Sequence, residues 1–216
     1  MARRLRSLLL SGFFLLSACQ TTPPEPLAPL AVRPVGEAWR SVALAEDRDR
    51  FARLDLAWSE ALGNARLRGF RNRVAALGPL LAPDAALPRA AIPPGPYRCR
   101  LIRFAPPARG PAFAAHRPFF CYVGVEEALL SFTKQDGSER PGGYLWDDSD
   151  TRLIFLGAFA IGNEPAPPAY GEIANRNLAG IVERIGPFRY RLVIPWPRGG
   201  ATLDVLELVP VVQESD

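Results

Sequence analysis

The 216-residue sequence predicts an α+β fold, with an N-terminal amphipathic helix packed on an eight-stranded antiparallel β-barrel or coiled sheet. Two observations carry this prediction. In the first half of the chain, apolar residues recur at helical spacing. From Tyr97 onward they alternate with polar residues, in short runs separated by turns. Because helices repeat every 3.6 residues and half-buried strands every two, the change of period marks the change from helix to strands.

The N-terminal residues have the organisation of a secretory signal. Arg3, Arg4 and Arg6 precede an apolar run at 8–16, which is shorter than the roughly 20 residues that a membrane-spanning helix needs. The run ends in Leu16-Ser17-Ala18-Cys19, which resembles the lipobox of bacterial lipoproteins. This resemblance implies that residues 1–18 are a cleaved signal peptide and that Cys19 carries the lipid. An ordinary signal peptide with a chance cysteine is the alternative.

Lipidation of Cys19 implies a protein held to a membrane by its acyl chains and facing the periplasm. Gln20 follows the cysteine, where an aspartate would resemble an inner-membrane retention signal, so we expect the outer membrane. Residues 19–36 then form an extended, semi-rigid tether, because proline-rich chain resists compaction. The prolines of the tether are Pro23, Pro24, Pro26, Pro29 and Pro34.

The charge of the chain gives little support to a nucleic-acid partner. Residues 1–18 carry three arginines and no acidic residue, so their removal lowers the formal net charge from +4 to +1. The sequence pI of about 9.3 therefore partly reflects the signal peptide, whereas nucleic-acid binding calls for a basic patch. We expect a monomer whose partners are the membrane and either an envelope protein or a small apolar ligand.

Residues 37–94 are predicted to be a helical segment followed by a proline-rich connector. A long helical pattern runs over about 45–77; because Gly69 weakens it, the alternative is a break near Gly69 with a second short helix at 70–77. We expect this segment to cover an open end or a flank of the barrel. The apolar stripe comprises Phe51, Leu54, Trp58, Ala61, Leu62 and Ala65. The connector prolines, which exclude helix, are Pro79, Pro83, Pro88, Pro93, Pro94 and Pro96.

Residues 95–213 are predicted to be the barrel domain. Turn signals such as Asp136-Gly137 and Gly186-Pro187 separate its strands. The eight predicted strands are 97–104, 119–125, 129–134, 143–146, 152–161, 179–185, 188–196 and 202–209. The seventh strand has one apolar face, made of Phe188, Tyr190, Leu192, Ile194 and Trp196. Such alternation is typical of a half-buried strand.

Removing Cys19 from the thiol count leaves Cys99 and Cys121. In an oxidising compartment we expect these two to form a disulfide; two buried free thiols are the alternative. If the disulfide joins directly opposed residues of an antiparallel pair, Leu101 faces Phe119 and Tyr97 faces Val123. The bridge would then fix the register of two strands across a proline-rich loop.

Two acidic residues are candidate ligand contacts because they share strand faces with apolar residues. Glu183 shares a face with Ile181 and Ile185, and Glu207 shares one with Val205. If that face is the barrel interior, the two carboxylates lie among apolar groups, as ligand contacts or acids of raised pKa do. One alternative is that a β-bulge shifts the alternation and turns these side chains to the other face of the sheet. The other is that arginines pair with both acids.

Other chemistry-bearing residues lack the context that catalysis or metal binding requires. His116, the single histidine, has no obvious catalytic partner. Ser131 and Lys134 match the S-x-x-K spacing, but on a strand these positions point to opposite faces. We therefore expect no catalytic residues, no metal site and no cofactor. We interpret the three aspartates at 147, 148 and 150 as part of a solvated hairpin turn: Asp147, Asp148 and Asp150.

Several segments resemble the bacterial lipoproteins grouped as Domain of Unknown Function 4893, over nearly the whole chain from Trp39. They are Trp39-Arg40-Ser41-Val42, Asp47-Arg48-Asp49-Arg50, Tyr97-Arg98-Cys99-Arg100, Leu130-Ser131-Phe132-Thr133-Lys134, and the stretches 180–186 and 192–197. The resemblance implies no known activity and no catalytic residues. The eight predicted strands and single disulfide also resemble small lipocalin-like inhibitors of secreted metalloproteases. Gly95-Pro96-Tyr97 resembles the opening of lipocalin-type barrels.

These features favour a non-enzymatic envelope lipoprotein that binds a protein or a small molecule. The second hypothesis is a lipocalin-like carrier with a small apolar ligand inside the barrel. The third is an enzyme that uses carboxylates. A carrier requires an apolar cavity of a few hundred Å³, whereas a partner-binding protein requires a contiguous exposed apolar or aromatic patch.

Overall fold

The computed structural model describes residues 36 and 38–211, so the expected signal peptide, Cys19 and nearly all of the tether lie outside the described residues. The described chain begins with helices. They are α1 (Ala38–Val42), α2 (Ala45–Ala52), α3 (Leu54–Leu67) and α4 (Arg71–Ala75), with 3-10 helices at Gly78–Leu81, Pro107–Arg109 and Ala174–Arg176. None of the helices in this part of the chain is long and apolar enough to cross a membrane.

The strands follow the connector. They are β1 (Gly95–Phe104), β2 (Ala114–Ala115), β3 (Phe119–Glu126), β4 (Leu129–Lys134), β5 (Glu139–Ser149), β6 (Arg152–Ile161), β7 (Asn177–Gly186), β8 (Arg189–Pro195) and β9 (Leu203–Pro210). All eight predicted strands are present. β5 extends well beyond the predicted 143–146, because Pro141 and Gly142 concealed its first half.

The eight long strands form a closed antiparallel barrel, which confirms the predicted fold class. β1 pairs with β3, each strand from β3 to β8 pairs with the next, and β9 returns to pair with β1 from Tyr97↔Pro210 to Phe104↔Leu203. The two-residue β2, which was not predicted, adds a short ladder to β1. Closure leaves no long unpaired edge on these strands.

Side chains from all eight long strands fill the barrel interior. Two edge-to-face aromatic pairs lie within it, Phe132 with Phe155 and Tyr97 with Tyr190, with ring centroids 5.7 Å and 6.4 Å apart. Phe155 is completely buried, and Tyr97 and Phe132 are each 1 % exposed.

The apolar face predicted for the seventh long strand, β8, is correct only in its middle. Tyr190, Leu192 and Ile194 line the interior. Phe188 is 72 % exposed, and Trp196 packs outside the barrel against the α3 cluster. Phe188 and Trp196 flank the strand with φ values of 50° and 42°, so the alternation of faces ends before it reaches them.

The outer flank formed by β1, β8 and β9 lies beneath α3, as predicted. The buried residues of α3 are Ala57, Trp58, Ala61, Leu62 and Ala65. They pack in one cluster with Ile102, Val193 and Val205 of the barrel. We call α3, α4 and Gly78–Leu81 the helical cover. Because of this cover β8 is buried on both faces, rather than half-buried as its alternation predicted.

The helical segment is broken at two places. The alternative with a break at Gly69 is the one present, with φ of +84° between α3 and α4. The break at Arg53, between α2 and α3, was not predicted. Packing explains this break. Phe51 of α2 packs in one cluster with Ile154 of β6 and Ile181 of β7, whereas α3 packs in a different cluster.

The proline-rich connector occludes one end of the barrel. Ala90 and Ile92 are 2 % and 1 % exposed and belong to the interior cluster. The connector is hydrogen-bonded to strand ends, because Leu87 N–H donates to Arg184 O and Ala90 N–H donates to Asp150 O. We call residues 87–92 the plug. The plug was not predicted, because its residues are held through backbone hydrogen bonds, which leave no signal in the sequence.

The predicted disulfide between Cys99 and Cys121 is present, but its strand register differs from the expected one. Cys121 lies opposite Tyr97, and Phe119 lies opposite Cys99, so the cysteines form a diagonal pair with Cα atoms 6.1 Å apart. This separation is within the range that a disulfide spans. The second half of β1 pairs with β2, so β3 begins only opposite Cys99, two residues earlier than expected.

Candidate binding face

Glu183 and Glu207 lie on the outer surface of the barrel and not on its interior face, so the condition for their being interior ligand contacts is not met. On the same strands it is Val182 and Leu206 that line the interior. Glu183 and Glu207 are only 7 % and 9 % exposed because the cover and neighbouring side chains lie over them. Both pair with arginines, which was one of the alternatives considered.

Arg191 of β8 is the partner of Glu183 and is completely buried. Its Nε donates to a Glu183 oxygen at 2.7 Å, and its guanidinium lies 4.9 Å from the Trp58 ring centroid. The two terminal nitrogens also donate to four main-chain oxygens at the end of the helical cover, those of Pro79, Leu80, Ala82 and Pro83, over 2.7–3.2 Å. Carbonyls at a helix end lack helical partners, and a guanidinium supplies several donors in fixed geometry.

Glu207 of β9 is shared between two other arginines. Arg100 donates to one of its oxygens at 2.7 Å and Arg189 to the other at 2.8 Å. In the sheet register Glu207 lies between Arg191 and Arg100, so charges alternate along a row across β7, β8, β9 and β1. These contacts make both acids structural ion-pair partners.

A second buried polar cluster, absent from the sequence predictions, ties α2 to the loop before β7. Asp47 is fully buried, pairs with Arg50, and accepts a hydrogen bond from the Tyr170 hydroxyl. Leu44 N–H donates to the same hydroxyl oxygen at 3.0 Å. Burial raises the pKa of Tyr170, and the hydrogen bond to Asp47 raises it further. No sequence signal linked residues so far apart.

The outer surface of β3, β4 and β5 carries large exposed aromatic residues. Phe120, Tyr122 and Tyr144 are 57 %, 47 % and 42 % exposed. They belong to one surface, because Tyr122 lies opposite Thr133 and Tyr144 lies opposite Ser131 in the strand register. We call these five residues the aromatic face. Exposed aromatic residues gathered on one sheet face are a feature expected of a partner-binding protein.

A groove of about 340 Å³ borders the aromatic face. Ser131, Thr133 and Tyr144 form part of one side, and the proline-rich loop at 166–170 forms the other. Gly142 lets the loop approach the sheet, since a Cβ atom there would lie 3.0 Å from the Pro167 ring. The Tyr144 hydroxyl donates to Glu126 at 2.9 Å, which fixes one edge of the groove.

The other residues considered for catalysis or metal binding make structural contacts or lie exposed in loops. Lys134 lies 4.7 Å from the Phe119 ring centroid and donates to the Glu139 carbonyl, on the opposite strand face from Ser131. His116 is an exposed loop residue. Asp148 accepts from Trp39 Nε1 at 2.7 Å and pairs with Arg152. Within residues 38–211 no group of three or more His, Cys, Asp or Glu side chains could hold a metal ion.

Comparison with known proteins gives a family for this chain. The family described as Domain of unknown function (DUF4893) matches residues 39–208. The chain belongs to the DUF4893 family. The match extends from α1 into β9, so the family domain includes the helical cover, the plug and the barrel of this DUF4893 protein. No curated protein and no solved structure gives a significant match.

The geometry of this DUF4893 protein separates the barrel surface into two parts. The flank of β1, β8 and β9 is occupied by the cover and its ion pairs, whereas the face of β3–β5 carries exposed aromatic rings. The aromatic face is therefore the candidate functional site, and Glu183 and Glu207 contribute to the support of the fold.

Replacing Arg191 with methionine should lower the free energy of unfolding by about 3–5 kcal/mol, because a buried carboxylate and several carbonyls lose their donors. Arg191→Lys should restore only part of this loss, since an ammonium lacks the forked geometry of a guanidinium. Urea denaturation followed by circular dichroism measures both effects.

Arg189→Met is the matched control. Arg189 lies on the same strand and also pairs with an acid, but its side chain is 31 % exposed and Glu207 keeps Arg100. The control should cost about 1 kcal/mol or less. Equal losses for Arg189→Met and Arg191→Met would show that burial of Arg191 has no special role.

Proposed function

We propose that this DUF4893 protein is a lipid-anchored protein of the cell envelope that binds a protein partner through its aromatic face, without catalysis. The observation that carries the proposal is the exposure of Phe120, Tyr122 and Tyr144 on one sheet surface. Aromatic residues, tyrosine above all, supply much of the binding energy in protein interfaces, and isolated monomers rarely expose them together.

The form of the aromatic face favours a protein over a small molecule. Its residues lie on three adjacent strands on the outside of a closed barrel, whereas small ligands prefer concave sites. The strands hold Phe120, Tyr122 and Tyr144 on a rigid framework, which reduces the ordering cost of association. The adjoining groove of about 340 Å³ offers a place for one side chain or loop of the partner.

The anchor is supported by the order of the N-terminal features. A basic segment, a short apolar run and Leu16-Ser17-Ala18-Cys19 follow one another as in lipoprotein signals. An anchored chain would keep the aromatic face near partners in the same membrane and would raise their effective concentration. The outer membrane is the proposed location, facing the periplasm, because Gln20 follows Cys19.

The two other hypotheses receive less support. A carrier of a small apolar ligand would need open space inside the barrel, where Tyr97, Phe132 and Phe155 are packed and nearly inaccessible. An enzyme based on carboxylates would need acids free to act, and Glu183 and Glu207 are held in ion pairs. We therefore place both hypotheses behind partner binding.

Substitution of the lipid-bearing residue tests the anchor. Cys19→Ser should leave the precursor uncleaved or release the protein from the lipid anchor, because serine offers no sulfur to carry the diacylglyceryl group. The measurements are mass spectrometry of the N-terminal peptide and extraction of membranes with alkaline carbonate. A wild-type chain without acyl groups on Cys19 would contradict the proposed anchor.

Photo-crosslinking tests the aromatic face in living cells. With benzoylphenylalanine at position 122, we expect one discrete adduct of higher mass. Adding Phe120→Ser should lower the yield of this adduct by about tenfold, because an exposed aromatic contact beside position 122 is lost.

Phe188→Ser is the matched control, since Phe188 is 72 % exposed and lies at the β7–β8 turn, away from the aromatic face. It should leave the yield unchanged. The absence of any adduct, or an adduct that Phe120→Ser and Phe188→Ser affect equally, would refute binding through the aromatic face.

A further inference from the structure

The junction of α3 and α4 carries a dense group of arginines that the proposed partner site does not use. Between 61 and 83 the sequence has four arginines and no acidic residue. The arginines flank a break at Gly69, where the chain turns from α3 into α4. We call the following set the arginine elbow: Arg66, Leu67, Arg68, Arg71 and Arg73.

All five residues of the arginine elbow are exposed, and Leu67 is 86 % exposed. None of the four arginines forms a salt bridge with any residue in the described part of the chain. Elsewhere arginines such as Arg50, Arg152 and Arg191 pair with acids. The elbow therefore presents positive charge that the described protein does not neutralise, around one exposed apolar side chain.

The elbow is attached to the barrel and keeps a defined shape. Phe70, Val74 and Leu77 pack against the cluster beneath the helical cover. The Arg73 guanidinium lies 5.6 Å and 5.1 Å from the ring centroids of Phe70 and Phe113. Because the backbone of the elbow is held in place, contact with a charged surface orders only side chains.

We propose that the arginine elbow binds the anionic phospholipid surface of the membrane that carries the protein. Guanidinium groups form forked hydrogen bonds with phosphate oxygens, and clustered basic residues are attracted to anionic headgroups. Leu67, in the middle of the charges, enters the interfacial region, as apolar residues of membrane-surface helices do. The inference rests on the proposed anchor for its biological setting, since acyl chains on Cys19 would keep the elbow close to a lipid surface.

The elbow would also fix the orientation of the anchored domain. Attachment at Cys19 alone does not define the orientation of the barrel, whereas a second contact through α3 and α4 holds the helical cover towards the lipid. Because the elbow and the aromatic face are carried by different elements, a partner could reach β3–β5 while the elbow is bound.

A fluorescent probe at the apolar position tests the proposal. The matured protein, purified from bacterial membranes in detergent, carries Leu67→Cys labelled with nitrobenzoxadiazole and is reconstituted into vesicles. We expect a blue shift and a gain in intensity in vesicles with phosphatidylglycerol, and neither in pure phosphatidylcholine. The shift should fall as salt rises, because screening weakens the charge attraction.

Substitution of the four arginines by glutamine should lower binding to phosphatidylglycerol vesicles on the order of a thousandfold, given an attraction of about 1 kcal/mol per basic residue. The charge-matched control replaces Arg89, Arg98, Arg109 and Arg117, which are also exposed. It should retain the blue shift. The same probe at Phe188→Cys should show no shift in either type of vesicle.

Two results would overturn the proposal. One is a probe at position 67 that responds equally to neutral and anionic vesicles. The other is a response to soluble polyphosphate or to an acidic protein that vesicles do not reproduce. Anchorage is measured separately, by flotation with phosphatidylcholine vesicles at high salt. Loss of flotation would refute the lipid anchor alone, because unanchored protein still reports on the elbow when anionic vesicles are added.

Discussion

The guanidinium of Arg191 has no exposure to solvent, so its charge must be balanced inside the protein. Glu183 supplies the opposite charge, the carbonyls at 79–83 supply the remaining acceptors, and Trp58 lies over the guanidinium. This one side chain therefore joins strands β7 and β8, helix α3 and the start of the connector. If the connector moved away, a buried cation would lose most of its hydrogen bonds, which is a large cost for a marginally stable domain.

The position of the cover decides which barrel surface remains free. Once α3 lies over β1, β8 and β9, and α2 reaches β6 and β7, the outer face of β3 and β4 and of β5 as far as Tyr144 is left outside the helical clusters. The plug removes one end of the barrel as an entrance, since Ile92 is buried in the interior cluster. The same helices place the arginine elbow on the outside of the cover. The proposed partner surface and the proposed lipid contact are thus both consequences of how the cover docks.

The barrel could be predicted from the sequence because strand alternation and turn residues are local signals. The disulfide could be predicted because only two cysteines remain once Cys19 is assigned to the lipid. Local signals do not determine the pairing between distant segments. The predicted register, with Cys99 opposite Cys121, is therefore wrong: β2 pairs with the end of β1, and Phe119 rather than Cys121 lies opposite Cys99. The position of Arg191 could not be inferred, because its partners include main-chain carbonyls, which any sequence would provide. The sequence alternation places Phe120 and Tyr122 on the same face of their strand. Their exposure to solvent, however, depends on where the helices pack on the barrel.

Because Arg191 joins the helical cover to the barrel, we expect the two to unfold as one cooperative unit. Native-state hydrogen exchange, followed by mass spectrometry or NMR at increasing urea, measures this cooperativity. Buried amides of α3 and of β8 should exchange with the same free energy of opening and the same dependence on urea. Opening of α3 at a clearly lower free energy, while β8 stays protected, would contradict this expectation and would make the cover a separately unfolding layer.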